Sequence, residues 1–136
     1  MTRRVLGLDL GTKRIGVALG TGAVATPYEV VVRGAHVRRI RELVEETGAT
    51  TVVVGLPFSL DGTKGPAAVK IEKEVEHLRT VLDVPVELWD ERFTTVTAHQ
   101  SLMDQKMKAD ARRRVVDKVA AAVMLQSWLD AQPSAD

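Results

Sequence analysis

A chain of 136 residues, 45% of them hydrophobic, is long enough to bury one continuous core without disulfide or metal staples and short for two domains. It has no cysteine, which excludes disulfides, thiolate-held zinc and iron–sulfur clusters and leaves oxygen and imidazole as metal donors. The net charge of +1 is uninformative as a total, no apolar run approaches the roughly 20 residues of a membrane helix, and the N-terminus lacks the apolar core of a signal peptide. The expectation is a soluble, cytoplasmic protein with no membrane partner, one domain over residues 1–131 and a disordered tail at 132–136.

Residues 3–20 read as a strand, a tight turn at Gly11, Thr12 and Lys13, and a second strand. In that second strand Ile15, Val17 and Leu19 alternate with Gly16, Ala18 and Gly20, a period of two with one face kept small for close approach. VATPYEVVVR suits a third strand, placed at a sheet edge by Pro27, which has no N–H to give a ladder. From His36 to Thr47, Val37, Ile40 and Val44 form a helical stripe, and Gly48 stands where a left-handed C-cap belongs.

TTVVVG is a β-branched run of the kind buried on both faces, and it opens into the long connection PFSLDGTKGP. Ala68, Ile71, Val75, Leu78 and Leu82 mark a second amphipathic helix, after which VPVELWDE returns to strand. Two further helices are expected. One begins at Thr94 or Thr95, and the other runs from Asp110, a good N-cap, to about Asp130. Strands alternating with helices after an opening hairpin predict an α/β layer fold with a mixed central β-sheet flanked by α-helices.

GLDLGTKR invites comparison with a phosphate-binding loop, which needs four residues between its glycines, a lysine directly after the second, then Ser or Thr and a helix. Three residues separate Gly7 from Gly11, Thr12 intervenes before Lys13, and a strand follows, so the pattern is not met. The acids are more informative. Asp9 stands among valine, leucine and glycine, where an ionised carboxylate loses hydration that a partner, a hydrogen-bond network or a metal must replace. Asp90 and Glu91 end the strand VPVELW, and Asp117 interrupts the last helix one turn before Ala120 and Ala121.

Neighbouring strand ends and a helix packed across them can gather such carboxylates around an oxygen-ligated ion of the Mg²⁺ or Mn²⁺ type. Ordinary roles compete for each: Asp9 as a turn cap, Glu91 paired with Arg92 or Arg14, and Asp117 paired with Arg113 or Arg114. The spacing does not choose between Asp90 and Glu91, which point to opposite faces of their strand. His36, His77 and His99 fall on separate expected helices at no ligand spacing.

Lys106, Lys108, Arg112, Arg113, Arg114 and Lys118 share one segment with only two acids, Asp110 and Asp117. The three arginines open a helix, the end whose dipole disfavours cations, so they form either a solvated face or an anion-binding surface. Lys13 and Arg14 follow Asp9 in turn. Basic residues thus flank two of the three acids, as contact with a polyphosphate backbone requires.

In the order GLDLGTKRIGVALG, VVVGLPFSLDGTKGPAA, DERFTT and DKVAAAVMLQSWL, the chain resembles the YqgF (RuvX) family of RNase H-like nucleases over nearly its whole length. GxDxGTxxxG alone also occurs in actin-like ATPases and sugar kinases, but those need a second domain for which this chain has no room. The resemblance implies an RNase H-like fold and a metal-dependent phosphodiesterase site. Asp9 matches the family's first-strand aspartate, Glu91 the glutamate of its DER motif, and Asp117 the aspartate before the paired alanines, together holding one or two Mg²⁺ or Mn²⁺ ions.

Lys13 and Arg14 match the basic pair of the family's first hairpin, and Thr94 and Thr95 match the residues after DER. Phe58, Ser59 and Leu60 replace a more usual Leu-Asn-Met, so Ser59 keeps a hydrogen-bonding group and loses the amide. The implied partner is a structured nucleic acid, either the precursor of 16S ribosomal RNA, cut during 5′ processing, or a four-way DNA junction. A homodimer would suit paired cuts. The alternative is a non-catalytic RNA-binding or ribosome-associated factor on the same fold.

Overall fold

Alternation in the first twenty residues builds the hairpin on which the sheet is organised. β1 (Arg4–Leu10) and β2 (Arg14–Thr21) pair antiparallel in a register that sets Asp9 opposite Gly16. The structure is a computed structural model that describes residues 2–58, 61–93 and 109–133, with side chains described for all of these except 109–114.

β3 (Val24–Val32) adds antiparallel to β2 at the sheet edge. Its register steps from Val17 opposite Glu29 to Ala18 opposite Pro27, which leaves Tyr28 as an extra residue in a bulge. Pro27 is therefore at an edge and next to an irregularity, the two places where a strand tolerates the missing donor. β4 (Thr51–Leu56) pairs parallel to β1, and β5 (Val86–Asp90) pairs parallel to β4. The five strands lie in the order β3-β2-β1-β4-β5, a mixed sheet.

α1 (His36–Thr47) ends at Gly48, whose φ of 71° and N–H bond to the Val44 carbonyl make the expected left-handed cap. α2 (Pro66–Val81) opens on a proline, which loses no hydrogen bond at a helix start. α3 spans Ala109–Asp130, one residue earlier than the expected start at Asp110. The helix expected from Thr94 or Thr95 lies outside the described residues, as do Ser59 and Leu60. Among the described residues no helix is long and apolar enough to cross a membrane.

The sheet separates two cores. On one side Leu6, Leu8, Ile15, Val17, Val52 and Val54 pack against Ile40 and Leu43 of α1 and Val75 and Leu78 of α2. On the other, Val5, Ala18 and Val53 meet Ala121, Leu125 and Trp128 of α3. β4, central between β1 and β5, is buried along its whole length, as its β-branched run requires. The small face of the hairpin is what lets α3 approach. A Cβ on Gly7 would stand 2.8 Å from the Cβ of Leu125, and one on Gly16 would collide with the backbone carbonyl of Asp117. Those glycines set the height of α3 over the sheet and hence the place of Asp117.

Candidate active site

The site is built where the C-terminal ends of β1, β4 and β5 lie side by side, on the face covered by α3. Along β1 the α3-facing positions are Val5, Gly7 and then Asp9, so strand alternation turns the Asp9 carboxylate toward the helix. Its register partner Gly16 carries the Asp117 backbone directly above it. Arg14, two residues before Gly16, donates from Nε to Asp117 Oδ2 at 2.7 Å, with both side chains 27% exposed.

Glu91 arrives by a different route from the one its strand pattern suggests. β5 stops at Asp90, and Glu91 begins a single 3₁₀ turn, Glu91–Phe93, that redirects the chain. Its carboxylate lies over Gly55: a Cβ there would stand 2.7 Å from Glu91 Oε1. Gly55 thus makes room for Glu91, a role the sequence signals through a lone glycine within a β-branched strand. Asp90 turns instead to Arg92, accepting from Nη2 at 2.6 Å and from the Arg92 backbone N–H at 2.9 Å. Both arginines that could have paired with Glu91 are therefore engaged elsewhere, Arg92 with Asp90 and Arg14 with Asp117, while the side chains of Arg113 and Arg114, the partners expected for Asp117, lie outside the described ones.

Burial pushes the Asp9 carboxyl up to about 6, and the neighbouring charge of Asp117 pushes the same way. Burial likewise raises Glu91 to about 7, reinforced by Asp9 and then Asp90. No cation and no hydrogen-bond donor offsets either shift among the described residues. Two desolvated carboxylates without partners, repelling each other and a third, form a hard-oxygen donor set short of positive charge, which fits a divalent cation. Among the described residues no three acidic or histidine side chains converge closely enough to cage an ion, and the Asp117 carboxylate is held by Arg14.

Lys13 is exposed on the hairpin turn. Arg112, Arg113 and Arg114 lie in the first turns of α3, and Thr94 and Thr95 fall outside the described residues. In the long connection Asp61 caps its own turn, accepting from the Thr63 N–H at 3.0 Å and hydroxyl at 2.7 Å. The Arg92 guanidinium sits 5.0 Å from the centre of the Phe58 ring, tying that connection to the end of β5.

The raised carboxyls carry a stability consequence with a definite sign. Their ordinary values are 3.8 and 4.5, so the folded chain retains protons that the unfolded chain has already released. The stabilisation is complete below about pH 4 and disappears as pH rises through 6 and 7. Metal-free protein should therefore melt at a lower temperature at pH 8 than at pH 5, with Asp9 alone contributing roughly 1.5 kcal/mol between those two pH values. Asp9→Asn should flatten much of that dependence; melts in EDTA with the same slope for both proteins would contradict it.

The architecture recurs in RuvC of T. thermophilus in complex with a Holliday junction substrate, with a TM-score of 0.57 at 16% identity over 94% of this chain and 95% of that one. A second Thermus thermophilus RuvC structure gives 0.53 at 18% identity over 93% and 95%. At such identities the likeness speaks for the fold, which is the RNase H-like α/β arrangement. Sequence relatives are nearer. Proteins described as "Putative pre-16S rRNA nuclease" are 41% identical in Roseiflexus sp. (strain RS-1), over 95% of each chain, and 45% identical in Pelotomaculum thermopropionicum, over 95% of this chain and 88% of that one. Another from Geobacillus kaustophilus is 43% identical over 95% and 99%. The profile of the family described as RuvX, Holliday junction resolvase, matches residues 3–131, and the chain belongs to that family.

Proposed function

We propose that the chain is a nuclease hydrolysing phosphodiester bonds in structured nucleic acid, with Asp9, Glu91 and Asp117 as the carboxylates of a divalent-metal site in a single domain over residues 1–131. The observation that carries this is the pair Asp9 and Glu91, two desolvated carboxylates at one end of the sheet beside Asp117, with no cation or donor beside them among the described residues. A binding factor without catalysis has no use for such a pair, since bare carboxylates repel phosphates.

Oxygen-only donors suit Mg²⁺ or Mn²⁺. Such an ion, when bound, supplies Lewis acidity toward the phosphodiester and acidifies the attacking water. The chain's own residues do the rest. Asp9 presents its charge from the end of β1 and Glu91 from the turn that closes β5, Gly16 and Gly55 leave the space, and Arg14 orients Asp117 at the rim. Lys13 on the exposed turn, with Arg112, Arg113 and Arg114 at the start of α3, provides the phosphate contacts that hold the substrate.

The names of the relatives favour the precursor of 16S ribosomal RNA as substrate, a reading that goes with work in the cytoplasm; the family description favours the four-way DNA junction, where a homodimer would make the paired cuts. A side-by-side assay of a precursor leader and a synthetic junction, with Mg²⁺ or Mn²⁺ and with EDTA, tests the proposal. Metal-dependent cleavage of at least one is expected. Binding without cleavage of either would leave the non-catalytic factor. Replacing Arg112, Arg113 and Arg114 by alanine should weaken binding across sequences and flatten the slope of log affinity against log salt by roughly 0.7 to 0.9 for each phosphate that is no longer neutralised; an unchanged slope would make the run a solvated helix face.

A further inference from the structure

On the face of the sheet opposite the carboxylates, α1 and α2 part to leave a cleft of about 300 Å³. Its floor is apolar, formed by Leu10, Val37, Ile40 and Leu78. Four nitrogen-bearing side chains, His36, Lys70, Lys73 and His77, also line it. Lys70 and Lys73 are exposed and make no ion pair among the described residues. The one acid on the wall, Glu74, is already neutralised: Arg33 grips it with both terminal nitrogens, at 2.8 and 3.0 Å. His36 accepts at Nδ1 from the Gly34 N–H at 3.2 Å, which leaves Nε2 as the free edge of its ring.

An apolar floor edged by imidazoles and uncompensated lysines is complementary to a ligand with a flat apolar body and an anionic end. That is the chemistry of a nucleotide: bases stack on side chains that include histidine, and phosphates take lysine. The cleft is also joined to the carboxylate site. Leu10 follows Asp9 directly, and the same Arg33 that holds Glu74 donates from Nε to the Gly11 carbonyl at 2.7 Å, in the turn that carries Lys13. A strand crossing that turn passes from one site to the other.

We propose that the cleft between α1 and α2 docks one unpaired nucleotide of the substrate strand that flanks the cut, its base against Leu10, Val37, Leu78 and the two imidazoles and its phosphate on Lys70 and Lys73. This rests on the nuclease proposal and sharpens it, since a single-stranded flank belongs to an RNA leader and not to a fully paired junction.

The test compares binding, in Mg²⁺ and with Asp9→Asn to prevent cleavage, of a blunt RNA hairpin, the same hairpin with a single-stranded tail, and the tailed hairpin with abasic tail positions. The tail should improve affinity roughly fivefold or more. The abasic tail, or the double variant Lys70→Ala/Lys73→Ala, should abolish that gain while the blunt hairpin binds as before, and the double variant should melt as the parent does. A gain that survives the double variant, an abasic tail that binds as well as the intact one, or equal weakening of blunt and tailed hairpins would each overturn the proposal. A nucleoside 5′-monophosphate that needs the two lysines while the tail does not would assign the cleft to a free nucleotide and overturn the strand contact. Failure of every hairpin to bind would remove the nucleic-acid proposal itself, whereas a blunt hairpin bound as tightly as a tailed one would remove only the cleft.

Discussion

Asp9→Asn and Glu91→Gln should each lower cleavage of a structured substrate by roughly 10²-fold or more while leaving its binding nearly unchanged. Both substitutions keep the shape of the side chain and remove its charge. Because the two carboxylates are desolvated and have no cation beside them among the described residues, that charge has no structural partner to lose. Its removal falls on metal affinity and, in the metal-free protein above pH 6, relieves a burial and repulsion cost to the fold, so neither variant should lose activity through unfolding. Asp90→Asn is the matched control. Asp90 belongs to the same DER run and differs from Glu91 in being paired with Arg92, so its replacement should cost only a surface ion pair, about 1 kcal/mol or less, and little activity. Equal losses for Asp90 and Glu91 variants would show that the run acts as a unit and that the 3₁₀ turn does not select between them.

Gly16→Ala should destabilise the fold by about 3 kcal/mol and lower cleavage with it. The added methyl would enter the backbone carbonyl of Asp117, a clash that a side-chain rotation cannot relieve, so α3 must lift from the sheet. Lifting α3 loosens the Ala121, Leu125 and Trp128 core and moves Asp117 away from Asp9 in the same step. Gly65→Ala provides the comparison: nothing lies within 4 Å of a Cβ there and its φ of −81° suits any residue, so the cost should be limited to that of a poorer N-cap on α2, about 1 kcal/mol or less. Urea midpoints of the three proteins measure the difference. A Gly16 variant as stable as the parent would mean that helix height does not depend on that glycine.

Much of this fold is legible in the sequence because it rests on short periods. The alternation of Ile15, Val17 and Leu19 with Gly16, Ala18 and Gly20 carries the hairpin and its small face, and Pro27 puts β3 at the edge. What the small face admits is not legible, since only the folded chain brings Asp117 over Gly16. The partner of Arg14 illustrates the same limit: it is Asp117, 103 residues away, where the sequence alone sets Arg14 beside Glu91. Glu91 is a third case. Strand alternation separates it from Asp90, but its place over Gly55 depends on the turn that ends β5, and a three-residue 3₁₀ segment leaves no periodic trace. Gly55 itself carried a readable signal, a glycine closing a β-branched run.

The claim on which the rest depends is that Asp9 and Glu91 hold a divalent cation, and Mn²⁺ titration of the metal-free protein at pH 8, followed by electron paramagnetic resonance, tests it without reference to any substrate. Above both raised carboxyl values the two groups are ionised, so the parent protein should bind Mn²⁺. Asp9→Asn and Glu91→Gln should each weaken that binding by roughly 10-fold or more, the scale on which even outer-shell changes act, while Asp90→Asn should not. Binding of Mn²⁺ with the same affinity by the parent and by both carboxylate variants would contradict the assignment.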